Sequence, residues 1–111
     1  LPKTPIAPTK PKSKSREKVR LLPPYHVILL NDDDHSFEFV VEVLRKVFAF
    51  QLEQAFTYTR EAHTKGRAVV WTGPKEVAEL KVEQVQSLHE IRARDGAKLG
   101  PVDCVLEPAP T

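Results

Sequence analysis

The stretch Tyr25-His26-Val27-Ile28-Leu29-Leu30-Asn31-Asp32-Asp33-Asp34-His35-Ser36-Phe37-Glu38-Phe39-Val40-Val41-Glu42-Val43-Leu44 changes character twice within twenty residues. Its apolar opening, entered through Pro23-Pro24, reads as a strand over 25–30. Its second half places Phe37, Val40, Val41, Leu44, Val47 and Phe48 at helical spacing, with Glu38, Glu42, Arg45 and Lys46 opposite, which predicts a helix with one buried face. Between them, at the end of the strand, lies a run of carboxylates. Adjacent carboxylates repel one another unless a cation or hydrogen-bond donors answer them, so function is the expected reason for the cluster.

Working outward, Leu52, Ala55, Phe56, Thr59, Ala62 and His63 repeat the helical spacing after a break near Ala49-Phe50. Gly66 is placed to close that helix, and Ala68-Val69-Val70-Trp71 reads as a second strand. Pro74 is expected at the first position of a third helix, whose apolar side takes in Val77, Ala78, Val82, Val85 and Leu88. Asp95-Gly96-Ala97-Lys98 reads as a loop. Val102, Cys104 and Leu106 then alternate with Asp103, Val105 and Glu107 in a last strand. The order is β-α-α-β-α-β without internal repeats, which predicts an α+β domain: a small three-stranded sheet covered by three helices.

The 111 residues suffice for one domain. Residues 1–22 carry Pro2, Pro5, Pro8 and Pro11 among lysines, and are expected to be a disordered basic extension; residues 23–107 form the expected core domain and 108–111 a short tail. The formal charge of +2 averages over that basic extension and a net acidic remainder. The extension has no aromatic residue for base stacking and the body has no basic face, so no nucleic-acid partner is expected. No apolar run approaches the roughly 20 residues of a membrane-spanning helix, so no membrane role is expected either. Cys104 is the single cysteine, which favours a reducing compartment. The chain begins at Leu1 and contains no methionine, so a fragment or processed form is expected.

Thr59 and His63 are polar residues four apart on an otherwise apolar helical stripe. His63 together with Asp32 and Asp33 allows two readings from residue types alone: a metal site, or a site for a cationic group. A metal-dependent hydrolase built from these three lacks a second histidine at helical spacing, a further ligand and an evident nucleophile or general base.

Four segments in order, 25–33, 38–48, 63–68 and 76–82, resemble the ClpS family of adaptors that bring substrates to the Clp protease. The resemblance spans about Pro23 to Glu107. It implies a three-stranded antiparallel sheet with three helices, no catalysis, no cofactor and no metal. It also implies recognition of proteins whose first residue is Leu, Phe, Tyr or Trp, and delivery by a monomer to the N-terminal domain of a ClpA- or ClpC-type AAA+ unfoldase. The bacterial cytoplasm is the expected location, with the plastid stroma as the other possibility. By the same resemblance Asn31, Asp32 and His63 hold the free α-amino group, with Asp33 and His35 in support. Phe37, Val40, Thr59, Ala62 and Val102 line the pocket for the first side chain, and Glu76 and Lys81 dock on the unfoldase. A flexible N-terminal extension is engaged during delivery. The alternative implied function is a ClpS-like docking module that modulates the unfoldase without binding N-termini.

The chain departs from the family pattern at the gate. Phe37 and Thr59 stand where methionine is common, and Ala62 is smaller than the usual residue. His35-Ser36 replaces Thr-Pro before the first helix, leaving Asp34 or Ser36 to cap it. The stretch from about Leu88 to Gly100 is longer than usual, which implies either a longer third helix or an enlarged loop.

Overall fold

A computed structural model of the chain describes residues 22–110. The expected extension therefore lies, but for Leu22, outside the described residues. The elements follow the expected order: β1 (Tyr25–Leu30), α1 (Phe37–Phe48), α2 (Leu52–Lys65), β2 (Arg67–Gly73), α3 (Lys75–Gln86) and β3 (Cys104–Pro108). The strands form one antiparallel sheet in the order β2-β1-β3, so the strand that leads into the acidic run is the central one.

Alternation divides the sheet between two environments. Val27 and Leu29 of β1, Ala68 and Val70 of β2 and Cys104 of β3 belong to the core shared with the helices. On the other face Ile28 lies opposite Val69 and Val105, and Arg67 pairs with Glu107 at 2.9 Å. A bulge in the β1–β2 pairing at Val27/Ile28 shifts the register of β2, and both Val70 and Trp71 reach the core side. Helices α2 and α3 pack on the sheet, and α1 packs against both. Val40, Val41, Val43 and Leu44 of α1 are buried, each worth about 1.5–3 kcal/mol relative to exposure.

Several boundaries differ from the periodicity. Pro74 is the N-cap of α3 in extended conformation, so its fixed φ serves the residue before the helix. Helix α3 stops at Gln86, and Leu88 reaches the core from the turn that follows, its N–H donating to the Val85 carbonyl at 3.2 Å. Strand β3 begins at Cys104 and includes Pro108, and the Ala109 N–H bonds the Pro24 carbonyl at 2.8 Å. Part of the expected tail thus closes the sheet. Ala49 ends α1 in the left-handed region at φ 57°, a conformation more usual for glycine, and an aromatic row of Phe48, Phe50 and Tyr58 packs beside this turn.

Candidate functional site

Where β1 ends, backbone hydrogen bonds tie it to both of its neighbours. The Leu30 N–H donates to the Asp103 carbonyl at 3.1 Å, and the Asn31 N–H to the Gly66 carbonyl at 3.0 Å. Gly66 is the left-handed cap of α2 at φ 91°, its own N–H bonded to the Ala62 carbonyl. The second of these bonds therefore fixes the acidic loop beside the last turn of α2, the turn that carries His63. A cavity of about 260 Å³ opens there.

Its wall comes from three elements: Leu29 and Leu30 of β1, Phe37 and Val40 of α1, and Thr59, Ala62 and His63 of α2, with Asn31, Asp32, Asp33 and His35 from the loop. Residues separated by up to 34 positions thus share one site. Val102 does not line it. That side chain lies two residues ahead of β3 and is buried with Cys104 in the core. Phe37 is half-buried and meets Phe56 edge-on, with ring centroids 4.9 Å apart, so α1 and α2 share an aromatic contact beside the pocket. Thr59 is buried and its hydroxyl donates to the Ala55 carbonyl at 2.8 Å, which leaves its oxygen able to accept but not to donate. The volume falls below the roughly 300–1,000 Å³ of pockets for drug-sized ligands, and suits a single side chain.

The polar residues have unequal freedom. Both carboxylate oxygens of Asp32 are engaged within the loop: Oδ1 accepts from the N–H groups of Asp34 at 2.8 Å and His35 at 3.2 Å, and Oδ2 from His35 Nδ1 at 2.7 Å. A longer contact of 3.4 Å joins Oδ2 to the Asp103 N–H. His35 in turn donates from Nε2 to the Gly100 carbonyl at 2.7 Å and stacks on Phe39. Their side chains are only 6% and 3% exposed, so this pair organises the loop. Asn31, Asp33 and His63 are exposed, and their side chains make no hydrogen bond among the described residues. The donors that answer Asp32 are thus the loop's own N–H groups and His35, a local arrangement that residue types alone do not reveal.

Ser36 is the N-cap of α1, its hydroxyl accepting from the Phe39 N–H at 3.1 Å. Of the two expected caps, serine serves and Asp34 does not. Glu76 is exposed in the first turn of α3, whereas the Lys81 ammonium donates to the Val47 carbonyl at 3.0 Å and lies over the Phe48 ring. Lys81 therefore caps the C-terminus of α1, whatever else it does. Among the described residues no three His, Cys, Asp or Glu side chains converge as a metal site requires.

The family model described as ATP-dependent Clp protease adaptor protein ClpS matches residues 21–98. The chain belongs to the ClpS family. An ATP-dependent Clp protease adapter protein ClpS of Xanthomonas oryzae is 39% identical over 95 residues, covering 86% of this chain and 84% of that relative. The ClpS adapter of Vibrio cholerae is 42% identical over 72 residues, covering 63% of this chain and 68% of its own length. A solved structure of Agrobacterium tumefaciens ClpS2 bound to L-phenylalaninamide matches with a TM-score of 0.67 and 31% identity, over 78% of this chain and 98% of that one. This ClpS-family chain is an adaptor of the Clp protease and not an enzyme. Its partner is the Clp AAA+ protease. Its ClpS-like fold is the one expected, a three-stranded antiparallel sheet with three helices.

Proposed function

We propose that the cavity receives the first residue of a substrate protein, so that this adaptor selects proteins by a free N-terminus beginning with Leu, Phe, Tyr or Trp. The observation that carries the reading is the division of one small cavity into an apolar wall, Leu29, Phe37, Val40 and Ala62, and a mouth where Asn31, Asp33 and His63 offer acceptors. An α-ammonium has three donors and a positive charge, with an ordinary pKa of about 7.7–8.0, so it calls for acceptors in several directions and nearby negative charge. The Asn31 side-chain carbonyl and a His63 ring nitrogen meet two donors. Asp32 contributes charge from behind while holding the loop, and Asp33 contributes charge at the rim. An internal peptide nitrogen has one donor, no charge and a chain on both sides, so it is rejected. The ClpS2 relative supports this reading, since the L-phenylalaninamide bound to it has a free α-amino group and an aromatic side chain.

Delivery is to the N-terminal domain of a ClpA- or ClpC-type unfoldase. Exposed Glu76 is the better placed of the two docking candidates, because Lys81 is already bonded to α1. The adaptor acts as a monomer in the compartment of its unfoldase, the bacterial cytoplasm or the plastid stroma, and residues 1–22 serve as the extension the unfoldase engages. Fluorescence anisotropy with peptides differing only in the first residue tests the core of this reading. Leu, Phe, Tyr and Trp should bind and Ala, Asp or Lys should not; equal binding of all seven would refute it.

A further inference from the structure

The segment between α3 and β3 folds into a small hairpin of its own. Ile91 and Lys98 form a bridge, the Arg92 N–H bonds the Ala97 carbonyl at 2.8 Å, and the Gly96 N–H bonds the Arg92 carbonyl at 2.7 Å. The base is closed by the Leu99 N–H on the Glu90 carbonyl at 2.9 Å and by His89 Nδ1 on the Leu99 carbonyl at 2.8 Å. Arg92 clamps Asp95 through two hydrogen bonds across the turn. Ile91, the large apolar residue beside this base, is 60% exposed. Ile91 therefore does little to hold the hairpin in place, whereas polar bonds tie it to the acidic loop.

Those bonds fall on consecutive residues. Gly100 takes the His35 Nε2–H at 2.7 Å, and the Glu90 carboxylate takes the Ser36 N–H at 2.9 Å. The second bond completes a known helix-start pattern from an unusual source. In a capping box the N-cap serine accepts from the N3 N–H, while a Glu or Gln at N3 reaches back to the N-cap N–H. Here Ser36 makes the first of these bonds, but N3 is Phe39, which has no acceptor. Glu90, 54 positions away, supplies the missing carboxylate. A negative group at that point is also favoured by the helix dipole. The residue that follows Ser36 is Phe37, the first residue of α1 and part of the pocket wall.

We propose that the hairpin is a positioning strap for the pocket, acting through Glu90: by holding the Ser36 N–H, with His35 anchored on Gly100, it fixes where Phe37 stands against Phe56 and Thr59, and so sets which first residues fit best. The proposal rests on the N-terminus reading above and names a specificity determinant that touches no ligand. Loss of the Glu90 bond leaves the Ser36 hydroxyl cap and the whole core intact, so the start of α1 loosens without unfolding. The pocket then discriminates less sharply by the shape of the first side chain, while the amine contacts at Asn31 and His63 stay in place.

The test measures Kd for Leu-first and Trp-first peptides with the wild type, Glu90→Ala, the conservative Glu90→Gln and Glu90→Asp, whose side chain is one methylene too short to keep the Ser36 N–H bond. Glu90→Ala should change the Leu/Trp ratio by about 3- to 10-fold, the equilibrium equivalent of one lost cap, with Glu90→Gln close to wild type because its amide oxygen still accepts. The preference for free over acetylated termini should persist in every variant. If Glu90→Ala does not fold, Glu90→Asp carries the same expected change in ratio. Equal weakening of both peptides, or no change in any folded variant, overturns the strap while leaving the N-terminus reading standing. A wild type indifferent to acetylation overturns both.

Discussion

Asp32 and His63 line the same cavity, but they differ in how much of the fold depends on them, and alanine at each position should separate the two roles. In Asp32→Ala, the Asp34 and His35 N–H groups and the His35 ring lose their acceptor together, and the nearly buried Nδ1 of His35 is left without its partner while Nε2 keeps the Gly100 carbonyl. Removing one member of a buried pair costs about 3–5 kcal/mol, and the solvent reach of Asp34 argues for the lower end, about 3 kcal/mol. At about 4–8 °C per kcal/mol for a domain of this size, Tm should fall by roughly 12–24 °C. His63 is exposed and free of side-chain bonds among the described residues, so His63→Ala should change stability by no more than about 0.5 kcal/mol. Its loss removes one hydrogen bond to a charged amine, worth about 1.5–3 kcal/mol, or about 10- to 150-fold in Kd. Circular dichroism melts and anisotropy with a Phe-first peptide measure both quantities on the same samples. An Asp32→Ala protein that melts within about 2 °C of wild type yet binds no peptide would refute the reasoning, since Asp32 would then be a ligand and not the loop's organiser.

Further outcomes follow from the pocket, the core and the docking face. Thr59→Met removes the one acceptor on the apolar wall, so Tyr-first and Trp-first peptides should lose about 2- to 12-fold relative to Leu-first ones; an unchanged ranking in anisotropy would contradict the role given to the hydroxyl oxygen. Burial pushes the Cys104 thiol up to about 12, above its unfolded value, so the protonated form favours the folded state below the unfolded pKa and that contribution fades as pH rises through the folded one. At pH 8 a thiol reagent should therefore modify native protein far more slowly than unfolded protein, and equal rates would contradict this. Glu76→Lys should weaken binding to the Clp unfoldase while leaving peptide Kd unchanged, whereas Lys81→Ala should lower stability by about 1 kcal/mol in a thermal melt through loss of the Val47 bond.

The core path of the chain was readable because its signals are local. Val27, Ile28 and Leu29 form a short apolar run entered through Pro23-Pro24, the apolar residues of 37–48 recur at helical spacing, and Gly66 stands where a left-handed cap is needed. The resemblance to the ClpS family groups Asn31, Phe37, Thr59, Ala62 and His63, and all five line one cavity. What local pattern could not carry were interactions closed over long separations. Glu90 completes the start of α1 from 54 positions away and Gly100 holds His35 from 65, so neither the cap nor the reason for the long 88–100 segment shows in the spacing of nearby residues. Val102, assigned to the pocket by the resemblance, is buried in the core just ahead of β3 and is not among the residues that line the cavity. Asp32 has a type that suits a cation, but residue type alone does not show that its carboxylate also takes the adjacent backbone and a histidine three residues on.

The central claim is that the site reads the charged end of a chain. A Phe-first peptide and its Nα-acetylated twin, titrated side by side into the wild-type protein at pH 7, test it most directly. Acetylation removes the charge and two of three donors, so the account predicts binding weaker by at least about 100-fold, the worth of roughly two hydrogen bonds to a charged group. Equal affinity for the two peptides would contradict it.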